Sequence, residues 1–278
     1  MTAPSLPTPA ADIREHARRI RRKSVEMSHT GRAAHLGSAL SCADILATLY
    51  WGVLNIFPDA PRRPERDRFI LGKGHAAAAL YATLGYRGFF PVELLKSFNA
   101  DGCILPEHPA PFCVPGLEAA TGSLGHGLPI GLGMALAAKI GSGSQRVYVL
   151  LSDGECNEGS VWEAAMFAPA KGLENAVAII DNNRWQATGR SDEVLALQPL
   201  KEKWTAFGWS AYEVDGHDID ELLAVLRNCP DGSGKPVAVI ARTVKGKGVS
   251  FMEDDNNWHY RIPNADETAA ALKELGGS

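Results

Sequence analysis

The chain is 278 residues long, with 45% apolar and 22% charged residues and a net charge of −4. That is enough for a sizeable core in one large α/β domain or two small ones, and the acidic balance argues against a nucleic-acid partner. The five cysteines, Cys42, Cys103, Cys113, Cys156 and Cys229, form no CxxC pair, which fits reduced thiols in a cytoplasm better than a disulfide framework or a zinc site. The longest apolar stretch, near Leu128 to Ile140, falls short of a membrane span, and the N-terminus has no apolar signal core. The expectation is a cytoplasmic protein with no membrane partner.

In chain order, residues 1–11 are Pro/Ala-rich and read as a mobile tail. Ile13 to Ser28 carries five arginines and a lysine, but Glu15 and Glu26 interrupt the charge, so it reads as a surface helix. Ser41 and Asp44 have capping-box spacing, which predicts a helix from Cys42 to Trp51 with His35 in the loop before it. Arg68 to Leu71 reads as a strand, ended by GKGH and followed by a helix over Ala76 to Tyr86. The GKGH run lacks P-loop spacing. His75 nevertheless stands at a strand-to-helix junction, where helix N-terminal amides face anions. Asp101 to Gly116 is a long loop with four prolines and His108, a length often associated with function. TGSLGHG, Thr121 to Gly127, opens a helix through Ile140.

The most informative stretch follows. Val147 to Leu151 is a short apolar strand that breaks into Ser152-Asp153-Gly154. Val161 to Leu173 reads as a helix, bent near its end by Pro169. Ala176 to Ile180 is a second strand, ended by Asp181, Asn182 and Asn183. A strand–helix–strand unit makes both strands parallel, and ligands in open parallel sheets collect beyond the strands' carboxyl ends. Asp153 and Asn183 both lie there. Two hard oxygen donors without nearby cysteine or imidazole suit Mg²⁺ or Ca²⁺, completed by water, a backbone carbonyl and phosphate oxygens. Taken singly, Asp153 is equally a helix cap and Asn183 a turn residue. Beyond this unit come a helix over Leu200 to Phe207, a strand over Ser210 to Val214, a helix over Asp218 to Asn228 and a strand over Pro236 to Arg242. His217 fits ordinary turn chemistry. Lys245 lies past the last strand, either near an anion or as a flexible surface lysine. Asn264 to Glu267 caps a final helix ending at Gly276.

Asp153-Gly154, Glu158-Gly159, Glu163-Ala164 and Asp181-Asn182-Asn183 together resemble the thiamine diphosphate fingerprint. In the transketolase branch it runs GDG, EG, EA and DxN; Ser152 replaces the usual first glycine. The resemblance extends from about Ile13 to Asn264, as the N-terminal half of a transketolase. It implies a parallel sheet flanked by helices, a single diphosphate-binding (PP-type) domain over residues 12–278. It also implies thiamine diphosphate with Mg²⁺, for which Ca²⁺ or Mn²⁺ are substitutes. Asp153, Asn183 and the Trp185 carbonyl would hold the metal. His75, Gly122, Leu124, Gly154, Glu155, Asn183 and Lys245 would contact the cofactor. His35 of the HxG motif, His108 of the histidine-proline loop and His259 would handle substrate hydroxyls and protons. Glu158 and Glu163 resemble an acidic relay between paired sites, although Glu163 also suits an ordinary helix position. His126, where the family more often has Gln, and Tyr260, where glycine usually follows the late histidine, are departures that bear on substrate preference.

The implied reaction moves a two-carbon ketol unit from a ketose, usually a phosphate ester, to an aldose. No segment resembles the pyrimidine-binding domain that carries the catalytic glutamate. A second, C-terminal subunit is therefore expected to supply it, most simply in an α2β2 heterotetramer. The alternatives are an α-type subunit of a 2-oxo acid dehydrogenase and a non-catalytic interaction subunit. The HxG, GH and histidine-proline set favours the transketolase.

Overall fold

Five strands form a fully parallel sheet in the order β1-β2-β3-β5-β4, in a computed structural model that describes residues 8–276. They are β1 (Arg68–Leu71), β2 (Val147–Ser152), β3 (Ala176–Asn182), β4 (Ser210–Asp215) and β5 (Val237–Arg242). The central strands β2 and β3 are buried at every position, which explains why they read as unbroken apolar runs rather than alternating ones. Their side chains still divide by parity. Tyr148, Leu150, Val177 and Ile179 enter one core, whereas Val147, Val149, Leu151, Ala178 and Ile180 enter the other.

Helices cover both faces. Over the first lie α1 (Ala10–Thr30), α3 (Ala43–Thr48), α4 (Ala77–Tyr86) and α9 (Ile219–Leu226), with the short α2 (Leu36–Ser41) between α1 and α3 in the chain. Over the second lie α5 (Gly127–Ile140), α6 (Gly159–Ala170) and α8 (Leu200–Ala206), with α7 (Ser191–Val194) before it. The last helix, α10 (Ala265–Glu274), joins α1 and α2 in a third cluster around Val25, Leu36, Trp258 and Leu275. Its Asn264–Glu267 capping box forms in both directions.

Several boundaries differ from the expectation, each for a local reason. The expected tail lies outside the described residues up to residue 7; α1 starts at Ala10, so residues 10 and 11 are helical. The predicted helix over Cys42 to Trp51 is instead α2, a break at Cys42, α3 and a π-turn over Leu49–Val53. Ser41 and Asp44 form no capping box. Ser41 Oγ donates to Ser38 O and Asp181, and Asp44 pairs with Arg21 and His217. Tertiary partners have taken both side chains away from the local cap. Pro169 sits in the last turn of α6, which ends at Ala170 rather than Leu173. None of the helices among the described residues is long and apolar enough to cross a membrane.

Candidate active site at the carboxyl ends of the strands

The loops leaving β1, β2, β3 and β5 meet beyond the sheet's carboxyl edge around a cavity of about 220 Å³. Register brings them together: Ser152 at the end of β2 lies beside Asp181 of β3, and Asp181 beside Ala241 of β5. Asp153 therefore follows one strand and Asn183 its neighbour, as a parallel crossover requires. Ser152 continues β2 without a break, and its Oγ accepts the Glu155 amide at 3.1 Å.

The four histidines are drawn together from distant parts of the chain. The His35 ring lies 5.3 Å from that of His75, 5.6 Å from that of His108 and 4.8 Å from that of His259, centre to centre. His35 is the residue before α2, held in a left-handed conformation with φ 64° and anchored by its amide to His259 O at 2.7 Å. His75 contacts Ser38 Oγ at 2.8 Å. His108 packs so closely on Gly122 that a β-carbon there would lie 2.8 Å from its ring. Burial pushes the imidazoles of His35, His75 and His259 below their ordinary range, His75 well below it. Lys73 adds to the effect on His75, and Lys245 to that on His259, which falls to about 3. These three rings are neutral near pH 7 and can accept or relay a proton.

Lys245 is not a surface lysine. Its side chain is buried and its Nζ reaches Asn256 Oδ1 at 2.7 Å and His259 Nδ1 at 3.0 Å. Burial, then repulsion from Lys73, brings it down to about 8. The cavity wall also includes Leu124, Gly154, Glu158 and Trp185. Glu155 stands behind the wall, not in it. Its carboxylate accepts the Gly125 amide at 3.0 Å and the Ser152 amide at 3.4 Å, so it fastens the TGSLGHG loop to the end of β2. Glu163 is exposed on α6 and is not brought to the cavity.

Two residues that sequence reasoning left without a role organise the floor. Lys73 and Asp181 form an ion pair with both side chains fully buried. Asp181 also accepts from Ser41, Thr243 and Asn183, and Lys73 donates to Ser38 O. The signal for Lys73 was a charged residue between two glycines at the end of a buried strand. For Asp181 it is a carboxylate that directly closes an apolar strand run. Asn183 gives its amide nitrogen to Asp181 at 3.3 Å, leaving its oxygen turned towards the Trp185 amide at 3.1 Å. The turn carrying Trp185 is itself clamped: the indole donates to Asp254 at 2.8 Å, and Arg190 stacks 3.7 Å over the indole while bridging both Asp254 oxygens.

The residues present fit a cation-bound diphosphate. Asp153 is fully buried, receives Gly154 N at 2.9 Å and Ser191 Oγ at 2.8 Å, and has no cationic side chain in salt-bridge contact among the described residues. Burial raises its carboxyl to about 7. A buried carboxylate without a cation in direct contact is costly, and a bound cation lowers the cost. Asn157 Oδ1 and Gln186 Nε2, both on the cavity wall, are buried without hydrogen-bond partners. A ligand with its own polar groups would satisfy them.

A parallel sheet with a polar cavity across its carboxyl ends and a glycine-rich loop against it defines an α/β cofactor-binding domain of the doubly wound type. Comparison with known proteins makes this specific. The model of the family "Transketolase, thiamine diphosphate binding domain" matches residues 13–278. The chain is 42% identical over 255 residues to a subunit of the apulose-4-phosphate transketolase of Phocaeicola vulgatus, covering 92% of this chain and 90% of that protein. It is 39% identical over 264 residues to a subunit of the 6-deoxy-6-sulfo-D-fructose transketolase of Clostridium sp., covering 95% and 96%. The solved transketolase of Campylobacter jejuni superimposes with a TM-score of 0.91 at 29% identity, covering 97% of this chain. The chain spans 43% of that structure's length. The chain belongs to the transketolase family, as a member of its thiamine diphosphate-binding domain.

Proposed function

We propose that the protein is the N-terminal subunit of a two-subunit transketolase, moving a two-carbon ketol unit from a ketose or ketose phosphate to an aldose or aldose phosphate. The observation that carries this reading is the convergence of His35 and His108 on His75 and His259, which line the same carboxyl-end cavity as Gly154 and Asn183. The split organisation is supported by relatives of nearly the same length that are named as transketolase subunits. When bound, thiamine diphosphate supplies the nucleophilic carbon and the electron sink that cleavage beside a carbonyl requires.

Asp153, Asn183 and the Trp185 carbonyl would hold Mg²⁺, with Ca²⁺ or Mn²⁺ as substitutes, since all three are hard oxygen donors. Gly154, His75 and Lys245 would face the diphosphate, and Gly122 and Leu124 the cofactor body. Glu155 acts one step back, by fixing the loop that carries Leu124. His35, His108 and His259 would orient substrate hydroxyls and pass protons, a task for which burial keeps the His35 and His259 imidazoles neutral. Glu158 and Glu163 would form the acidic relay to a paired site. The partner polypeptide would bring the pyrimidine-binding domain and its glutamate, in an α2β2 heterotetramer of the cytoplasm acting in carbohydrate metabolism.

The test is reconstitution with the candidate partner polypeptide and a panel of ketose phosphates and sulfosugars. Ketol transfer is expected from the mixture, none from this chain alone, and none with Asp153→Ala, which should also lose Mg²⁺-dependent cofactor binding. Full activity of the isolated chain, or unchanged cofactor binding by the variant, refutes the respective half of the proposal.

A further inference from the structure

A second cavity, larger than the one at the strands' carboxyl ends, lies at the opposite, amino end of β1. There Arg68 opens the strand beside Val147 of β2, and the cavity measures about 460 Å³. Arg62, Arg66, Arg68, Phe112 and Glu118 are among its lining residues. Three arginines face one glutamate, so two positive charges remain uncancelled.

The arginines are not equivalent. Arg66 is fully occupied: it pairs with Glu118 and donates to Pro61 O at 2.7 Å and Asp67 O at 3.1 Å. Arg68 is only partly satisfied. Its Nη2 donates to Arg63 O at 3.2 Å, its Nε stands 3.9 Å from Glu118, and its buried Nη1 has no hydrogen-bond partner. Arg62, exposed on the surface turn, has neither a carboxylate nor a protein hydrogen-bond acceptor in contact among the described residues and is free to meet a ligand, so the one buried orphan is Arg68 Nη1. Unpartnered buried donors on a cation are uncommon and ask for an acceptor. At the rim, Phe112 is 87% exposed and holds a left-handed backbone, φ 55°. An aromatic residue in that conformation is strained, and its ring is left open to solvent.

We propose that this cavity is a second ligand site, independent of the catalytic one, for a small phosphomonoester with a flat apolar body. A phosphomonoester carries close to two negative charges at neutral pH, matching the two uncancelled guanidinium charges; a carboxylate would leave one unmatched. Guanidinium forks take phosphate oxygens in bidentate fashion, which gives Arg68 Nη1 its missing acceptor and lets the exposed Arg62 exchange water for phosphate. The Phe112 ring supplies an apolar face for the body of the ligand. The cavity's volume is in the range of small-molecule sites.

The experiment is calorimetric titration of the full chain, with the catalytic site saturated by thiamine diphosphate and Mg²⁺. The probes are inorganic phosphate and adenosine monophosphate, against chloride at matched ionic strength. Saturable binding of both is expected, tighter for the nucleotide. Arg62→Gln and Arg68→Gln should each weaken both probes by about tenfold, the size expected for one lost charged hydrogen-bond pair. Phe112→Ala should erase only the nucleotide's advantage. Arg62 is on a surface turn, so its variant remains informative if Arg68→Gln, at the start of β1, fails to fold. Absence of saturable phosphate binding overturns the proposal, as does binding that neither arginine substitution changes. A nucleotide that binds no better than phosphate overturns the apolar half.

Discussion

Lys73 lies between two glycines at the end of β1, yet it has no contact with solvent and is bonded to Asp181 across the end of the intervening strand β2. The pair keeps Asn183 in one orientation through the Asp181 contact, so its value is positional as much as energetic. Lys73→Met removes the cation and leaves a buried carboxylate held only by neutral donors. We expect a loss of about 3–5 kcal/mol in urea unfolding, the range for breaking one side of a buried pair. The double variant Lys73→Met/Asp181→Leu should recover part of that loss. A single variant as stable as the parent would show that the pair carries no such charge burden.

At the scale of elements, the cavity depends on loops that approach without side chains between them. A β-carbon at Gly74 would lie 2.5 Å from Thr121 C and 2.6 Å from Gly122 N, so GKGH and TGSLGHG touch backbone to backbone. Gly74→Ala must separate them, at about 1–3 kcal/mol for overpacking, and should weaken thiamine diphosphate binding together with stability. Gly133, on the exposed face of α5, has nothing within 4 Å of its added β-carbon. Gly133→Ala should stabilise the chain by about 0.5–1 kcal/mol and leave cofactor affinity alone. Equal cofactor affinities in the two variants would mean that loop contact does not shape the site.

For the whole molecule, the histidine cluster predicts how stability follows pH. In the unfolded chain an imidazole titrates near ~6.5. In the fold His35, His75 and His259 are all lowered, His259 to about 3. The unfolded state therefore takes up protons first as pH falls, and stability is lost progressively from about 6.5 downward towards the folded values. Above that range all three rings are neutral in both states and contribute no slope. The buried Asp153 and Glu155 carboxyls, both raised to about 7, act in the opposite direction over the same range, so the histidine contribution is read as a difference. The gap in thermal midpoint between the cofactor-free parent and His259→Asn should change between about pH 6.5 and 5 as the variant loses less stability. An identical slope in the variant would exclude His259 as a source.

The sequence by itself determined the parallel β2–α6–β3 unit, the order of strands and helices, and the convergence of Asp153 and Asn183. Strand periodicity and crossover handedness are local rules, and strand ends in a parallel sheet are neighbours whatever the rest of the chain does. The glycine-rich turn, GKGH and the Asn264 cap were legible for the same reason. What tertiary structure alone decided was the fate of polar side chains with more than one possible partner. Ser41 and Asp44 have the spacing of a cap, but Asp181, Arg21 and His217 are better partners than a local amide. Lys245 looked as much a surface residue as a ligand, and only the packing of Asn256 and His259 around it buried it. Arg62 and Arg68, which no motif singles out, border a cavity only because a loop some fifty residues later folds back beside them. A side chain's environment is set by segments far away in the chain, and no spacing rule reaches that far.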